Sequence, residues 1–359
     1  MTNVAAPPRH LPSLDGLRVI GAVAVVLVHV AYLERGYISG YGFFAVDLLF
    51  MLSGFVVARA YEDRVRAGLS WRRFMSHRVE RLYPSMLLGV VLGAVAHALV
   101  GVDGGSDWWS FGHVVLVPDF RGGGLFPLNG VLWSLFFIVI FNAMHAAIVR
   151  HLSTRRLVLF VLVIGPLWAY AALSVANWGA GWNRDTFAAG FARVGWGYGV
   201  GVLIHRWHAS GRWRPPSVSV VVPLTICAVV LADQSTMSGR ARLVLTAFVL
   251  LPSIVAISAT SRVPPAFAAP LRWLGARSYP LYTTHLPLLI IAAEVANQYG
   301  GVRRAFAWTG ATAGCVVVAA LIRPVYEAPA QRSLARRMAV GAKRPLPSLA
   351  SGRGPRPDP

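Results

Sequence analysis

Charge is what this sequence has least of. Only 13% of its 359 residues are Asp, Glu, Lys or Arg, about half the share of an ordinary soluble domain. Hydrophobic residues make up 56%, and the mean hydropathy is +0.56. Apolar runs recur along nearly the whole length, which excludes a typical globular protein and indicates a polytopic membrane protein. Cysteine is scarce as well. Cys227 and Cys315 both lie inside apolar runs, so neither reads as a disulfide partner or a metal ligand; they read as small buried hydrophobes. Lysine is nearly missing, since Lys343 is the only one among 34 basic residues. The formal charge of +20 does not point to nucleic acid, because the arginines sit in loops between apolar spans, where topology signals belong. There is no internal repeat and no separate soluble domain. The first apolar run is followed by the charged VAYLERGY, without a small-residue cleavage site, and is expected to be a spanning helix.

What is present is an all-α pattern of about ten transmembrane helices. The expected segments are 17–33, 42–60, 79–101, 130–149, 157–176, 187–206, 217–234, 241–260, 280–297 and 304–322. The loops alternate in charge. Arg59, Arg64, Arg66, Arg72, Arg73 and Arg78 lie on one side, joined by Arg150, Arg155 and Arg156, then Arg206, Arg212 and Arg214, then Arg262, Arg272 and Arg277. The opposite loops hold Asp103, Asp107, Asp119 and Asp185, with Arg240, Arg242, Arg303 and Arg304 weakening the contrast. The positive-inside rule puts the first set and both termini in the cytoplasm, as for a protein of the plasma (inner) membrane. Residues 1–16 then form a cytoplasmic segment and 17–329 the transmembrane bundle. Residues 330–359 form a basic tail expected to be disordered and near anionic lipid.

Ionisable groups inside a membrane are costly, so each is a functional candidate. Arg18 and His29 share the first span and are eleven positions apart. That is about three turns, so both leave one face, roughly 16 Å apart, joining the membrane edge to its middle. Asp47 enters with the second span at a depth similar to His29. A carboxylate there would accept one imidazole N–H and leave the other nitrogen as a general base. Taken singly, each has a plainer reading: His29 as a packing residue, Arg18 as a snorkelling anchor, Asp47 as a cap. Arg78 and Arg81 open the third span in HRVERLYP, three apart and so neighbours on one face. Grouped with Arg18 they suit a phosphate-bearing ligand, although the positive-inside rule alone explains them. His113, His145, His151, His205 and His208 fall at loops or helix ends without an assigned partner.

Several stretches together resemble the acyltransferase-3 family of integral-membrane O-acyltransferases. LDGLRVIGAVAVVLVH is similar to its opening signature, with Arg, ten residues, then His. YGFFAVDLLFMLSGFVVAR, FMSHRVERLYP, FPLNGVLWSLFF, GFARVGWGYGVGVLI, LGARSYPLYTTHLPL and VYEAPAQR resemble later blocks in the expected order, covering residues 11 to about 335. The resemblance implies a ten-helix bundle that takes an acyl group, usually acetyl, from cytoplasmic acyl-CoA and passes it to a hydroxyl of a sugar or glycosylated acceptor. It implies no metal. It makes His29 the catalytic histidine, puts Arg18 with it in acyl-donor handling and gives Arg78 and Arg81 the CoA phosphates. With the depth reading added, Asp47 is expected to orient His29 and Arg18 to join the phosphate site. Tyr282 and His285, with Ser278 and Tyr279, then line the donor entrance, unless they are helix-end packing. Some members carry a further soluble domain, for which this chain stops too early. One position departs: relatives commonly read Trp-Ser-Leu, two residues, then Glu, where this chain has Ile138. Transfer is either direct or through an acyl-histidine. The rival expectations are a transporter or flippase, and a non-catalytic member acting as an assembly partner, which Ile138 favours.

Overall fold

The computed structural model describes residues 10–36, 42–101, 108–174, 179–212, 217–233 and 240–341. Each of the ten apolar segments falls mainly on helix, residues 175–176 and 234 lying outside the described residues. The chain runs α1 (Pro12–Arg35), α2 (Phe44–Arg66), α3 (Trp71–Val100), α4 (Leu132–Ile148), α5 (Thr154–Ser174) and α6 (Phe187–Ser210). It continues through α7 (Val221–Ala232), α8 (Arg240–Leu245), α9 (Leu251–Thr260), α10 (Pro265–Gly275), α11 (Ser278–Ala296), α12 (Gly301–Ile322) and α13 (Ala328–Gly341). Among the described residues the only β pairing is two isolated bridges, Gly124–Asn183 and Ser219–Arg262.

Among the described residues seven helices are long and apolar enough to cross a membrane: α1, α2, α3, α5, α6, the joined α8–α9 and the joined α12–α13. α4 and α7 are apolar but shorter. α11 has 19 residues and a polar first half, SYPLYTTH, which lowers its hydropathy because that half faces protein. Leucines 159 and 162, Tyr170, Val302 and Phe306 on α5 and α12 point outward, exposed, as lipid-facing residues do in a chain without water around its spans.

Glycine sets the helix spacing at the centre. A Cβ at Gly201 of α6 would overlap the Met51 carbonyl oxygen of α2, and one at Gly54 of α2 would overlap the Tyr198 carbonyl oxygen of α6. Backbones this close are the small-residue packing of membrane helices, and α2 and α6 are accordingly the most enclosed spans. Two π turns punctuate the later helices. Thr246–Leu250 joins α8 to α9 just before Pro252, and Arg323–Glu327, which contains Pro324, joins α12 to α13. Proline lacks the N–H that closes the ordinary turn and clashes with the carbonyl four residues back, so a wider turn absorbs the mismatch.

Two expectations change. α10 stands where a loop was expected, since eleven residues with Pro265 and Pro270 carry too little apolar length to register as a span. The tail expected to be disordered from residue 330 remains helical to Gly341, because α13 docks on α3 through Gln331. Residues 342–359 lie outside the described residues.

Candidate active site

A cavity of about 370 Å³ lies between α1, α2, α3, α4, α11 and the π turn at Arg323–Glu327. One end is lined by five guanidiniums, from Arg18, Arg78, Arg81, Arg272 and Arg323, against only two carboxylates, Asp15 and Glu327. Beyond them the wall turns apolar, with Val46, Leu49, Phe50 and Val56 from α2. Ala22, Ser134, Ile138 and Tyr282 also line the cavity.

Arg18 and Arg323 are each held by a carboxylate. Arg18 donates to Asp15 Oδ1 at 2.8 Å, and His10 lies 3.2 Å from the other oxygen. Asp15 is buried against Gly275, where a Cβ would overlap it, so α10 is clamped to the foot of α1. Arg323 pairs with Glu327 at 3.0 Å and donates to Gln331 Oε1. Gln331 in turn donates to the Arg81 carbonyl at 2.9 Å, latching the π turn onto α3. Arg78, Arg81 and Arg272 form no ion pair among the described residues, and of these three only Arg78 is buried. Arg78 is 7% exposed, and its Nε has no partner. A buried cation aimed into a cavity without an anion is costly unless a ligand supplies one.

Tyr282 lines the cavity. Its hydroxyl is 2.6 Å from Ser134 Oγ, and its ring centroid is 6.1 Å from that of His285. His285 is fully buried one turn further along α11 and does not line the cavity, contrary to the donor-entrance expectation. It bonds instead to the first span: His285 Nε2 is 3.2 Å from His29 Nδ1. His285 Nδ1 is 3.0 Å from the Leu281 carbonyl, and His29 Nδ1 is also 2.9 Å from the Val25 carbonyl. Pro287 explains why α11 can be gripped so firmly here. It removes the bond that Thr283 O would accept four residues back, and Asn129 Nδ2 donates to that oxygen instead, at 2.8 Å. Gly89 of α3 lies against the same carbonyl, where a Cβ would not fit.

Asp47 does not orient His29. It makes a two-point bond to Arg193 of α6, Nε to Oδ1 at 2.9 Å and Nη2 to Oδ2 at 2.7 Å. Arg193 is 1% exposed, sits between the rings of Trp133 and Trp168, and donates to the Ala180 and Phe43 carbonyls. The pair bolts α2 to α6 and to the segment before α6. Matching depth put Asp47 near His29; helix rotation puts it on the α6 face. An arginine inside the glycine-rich GFARVGWGYG was the available signal for its true partner.

His145 also gains a role. Its Nε2 is 2.9 Å from Glu62 Oε1 and its Nδ1 is 3.0 Å from Tyr198 Oη, while Arg206 donates to both Glu62 oxygens. This second buried network ties α2, α4 and α6 at the arginine-rich end. His113 lies tilted against Phe126, and His205 meets Phe55 edge-on. Outside the spans, Arg121 donates to Asp119 and holds its carboxyl down at about 2. Among the described residues no group of His, Cys, Asp or Glu is arranged to hold a metal ion.

Comparison with known proteins matches residues 11–323 to the Acyltransferase domain of the acyltransferase-3 family. The chain is 26% identical over 332 residues to Peptidoglycan O-acetyltransferase OatA of Listeria monocytogenes, covering 80% of this chain and 50% of that protein. It is 24% identical over 315 residues to O-acetyltransferase OatA of Staphylococcus aureus strain NCTC 8325, covering 79% and 51%. It is 24% identical over 333 residues to Putative peptidoglycan O-acetyltransferase YrhL of Bacillus subtilis, covering 80% and 50%. The chain thus spans about half the length of these curated relatives. No solved structure matches it.

Proposed function

We propose that this chain, which belongs to the acyltransferase-3 family, is a multi-pass membrane O-acyltransferase that moves an acyl group, acetyl foremost, from acyl-CoA to a hydroxyl of a carbohydrate. The observation that carries this reading is the cavity itself. Surplus guanidinium at one end matches phosphates in charge, Arg78 lacks an anion, and the apolar wall beyond suits an uncharged pantetheine arm. The donor's phosphates would meet Arg18, Arg78 and Arg81, joined by Arg272, which the sequence offers only as a topology signal, and by Arg323. The arginine-rich loops put that end, and both termini, at the cytoplasm. α4, α7 and α11 complete a ten-span bundle. The names of the relatives favour peptidoglycan as the acceptor.

In this reading His29 is the general base. It takes the acceptor's hydroxyl proton while the oxygen attacks the thioester carbonyl carbon. The C–S bond then breaks, and the proton passes to the departing thiolate. Asp47 holds the scaffold and stays out of the chemistry. Tyr282 and Ser134 line the cavity and His29 does not, so in this reading the thioester reaches His29 only when the Tyr282 ring turns away from Ser134. Ile138 lines the cavity, which leaves that wall apolar where relatives commonly carry Glu.

Membrane vesicles given labelled acetyl-CoA test the reading. Wild-type protein should release CoA and transfer label to a glycan hydroxyl, and His29→Ala should reduce this at least 100-fold while remaining inserted. Full turnover by His29→Ala, or movement of an unmodified solute without label transfer, would overturn it.

A further inference from the structure

We infer that His285 is the positioning residue of His29: it fixes the tautomer of that imidazole and leaves Nε2 as the nitrogen that meets the acceptor hydroxyl. The inference rests on the reading of His29 as the base, and deepens it.

The hydrogen-bond partners decide the protons. A carbonyl oxygen can only accept. His285 Nδ1 lies 3.0 Å from Leu281 O, so Nδ1 carries the hydrogen. A neutral imidazole has one bare nitrogen, which here is Nε2. That bare nitrogen is 3.2 Å from His29 Nδ1, so His29 Nδ1 must be the donor. A second observation requires the same assignment independently, because His29 Nδ1 is also 2.9 Å from Val25 O, another obligate acceptor. The chain therefore runs in one direction. His29 Nδ1–H is shared between Val25 O and His285 Nε2, and His285 Nδ1–H ends on Leu281 O. No hydrogen bond among the described residues engages His29 Nε2, whose lone pair is left for chemistry.

The opposite arrangement is disfavoured. Placing a proton on His285 Nε2 would set two hydrogens face to face or create a cation at a site with 0% exposure. His285 is also held from outside the pair. Its own carbonyl accepts from Cys315 Sγ at 3.9 Å, and the Pro287 gap just beyond is filled by Asn129. The ring that aims His29 is thus itself locked, as a second-layer partner must be to hold a catalytic group in place. This is the orienting task that a carboxylate performs in a Ser-His-Asp arrangement, done here by a neutral imidazole because the nearest carboxylate on α2, Asp47, is committed to Arg193.

Kinetics in membrane vesicles separate this role from donor binding and from folding. Initial rates are measured against acetyl-CoA concentration for wild type, His29→Ala, His285→Leu and His285→Gln. Gln places an amide oxygen near the position of Nε2 and can still accept from His29 Nδ1; Leu cannot. The expected result is a fall in kcat of about 10- to 100-fold for His285→Leu with KM for acetyl-CoA within two-fold of wild type. His285→Gln should recover at least half of that loss on a logarithmic scale. An unchanged kcat in His285→Leu overturns the inference. So does a rise in KM alone, which would return His285 to the donor site, or a Gln variant that is folded yet as slow as Leu. If His285→Leu fails to insert, the Gln variant decides alone: kcat within ten-fold of wild type supports the inference, and a greater loss at unchanged KM overturns it. Activity in His29→Ala would instead sink the underlying base assignment.

Discussion

Replacing Arg78 by Met should have opposite effects on the empty and the donor-bound protein. Methionine is unbranched and fits the apolar part of the arginine's path. In the empty state Arg78 is a buried cation whose Nε is unbonded, which pairs with no carboxylate among the described residues and lines a cavity shared with Arg18 and Arg81. Removing it relieves desolvation and like-charge repulsion, so thermal stability without donor should hold or rise. With donor present the guanidinium gains a phosphate, and a hydrogen bond to a charged group contributes about 1.5–3 kcal/mol. At about 1.4 kcal/mol per decade, losing it weakens donor binding about 10- to 150-fold. Ligand linkage turns that into a stability difference. At a CoA concentration of about 100 Kd the wild type gains about 2.7 kcal/mol, whereas a variant weakened 100-fold gains about 0.4 kcal/mol. The assay is thermal unfolding of detergent-solubilised protein with and without CoA, beside KM for acetyl-CoA in vesicles. A variant whose Tm still rises with CoA as far as the wild type's, with unchanged KM, would refute the placement of phosphate at this arginine.

Two further expectations concern the scaffold. Asp47→Ala strands Arg193 among Trp133, Trp168 and two carbonyls, and should cost about 3–5 kcal/mol; the double variant Asp47→Ala/Arg193→Met should recover most of it. Thermal unfolding in detergent measures this, and protein that survives should keep a near-normal kcat, whereas a selective loss of kcat would return Asp47 to the chemistry. Gly201→Val forces α6 away from the Met51 carbonyl and should destabilise by at least 1–3 kcal/mol, read as a lower Tm. An unaltered Tm would show that the α2–α6 approach is not under steric control.

Much of this protein was legible along the chain. Hydropathy is a local property, and all ten apolar segments became helix because a backbone in lipid must satisfy its own hydrogen bonds. Arg18, Arg78 and Arg81 do meet in one cavity, whereas His29, which helical period puts on the face of Arg18, does not line it. α10 escaped because it is short and proline-interrupted, and α13 because its composition is that of a solvated tail until Gln331 finds α3. Arg272 looked like a topology signal, and Arg323 carried no signal of its own, until the fold turned both toward the same cavity as Arg78.

What the sequence determined by itself is therefore depth: which residues sit in apolar surroundings, and how far along each span they lie. What only the tertiary structure decided is rotation. Asp47 and His29 have similar depth, but α2 turns Asp47 to Arg193 while α11 brings His285 to His29. The rise per residue is the same in every helix and can be counted from the sequence. The angle at which one helix faces another depends on glycines such as Gly54 and Gly201 meeting carbonyls more than a hundred residues away, and no local pattern encodes that.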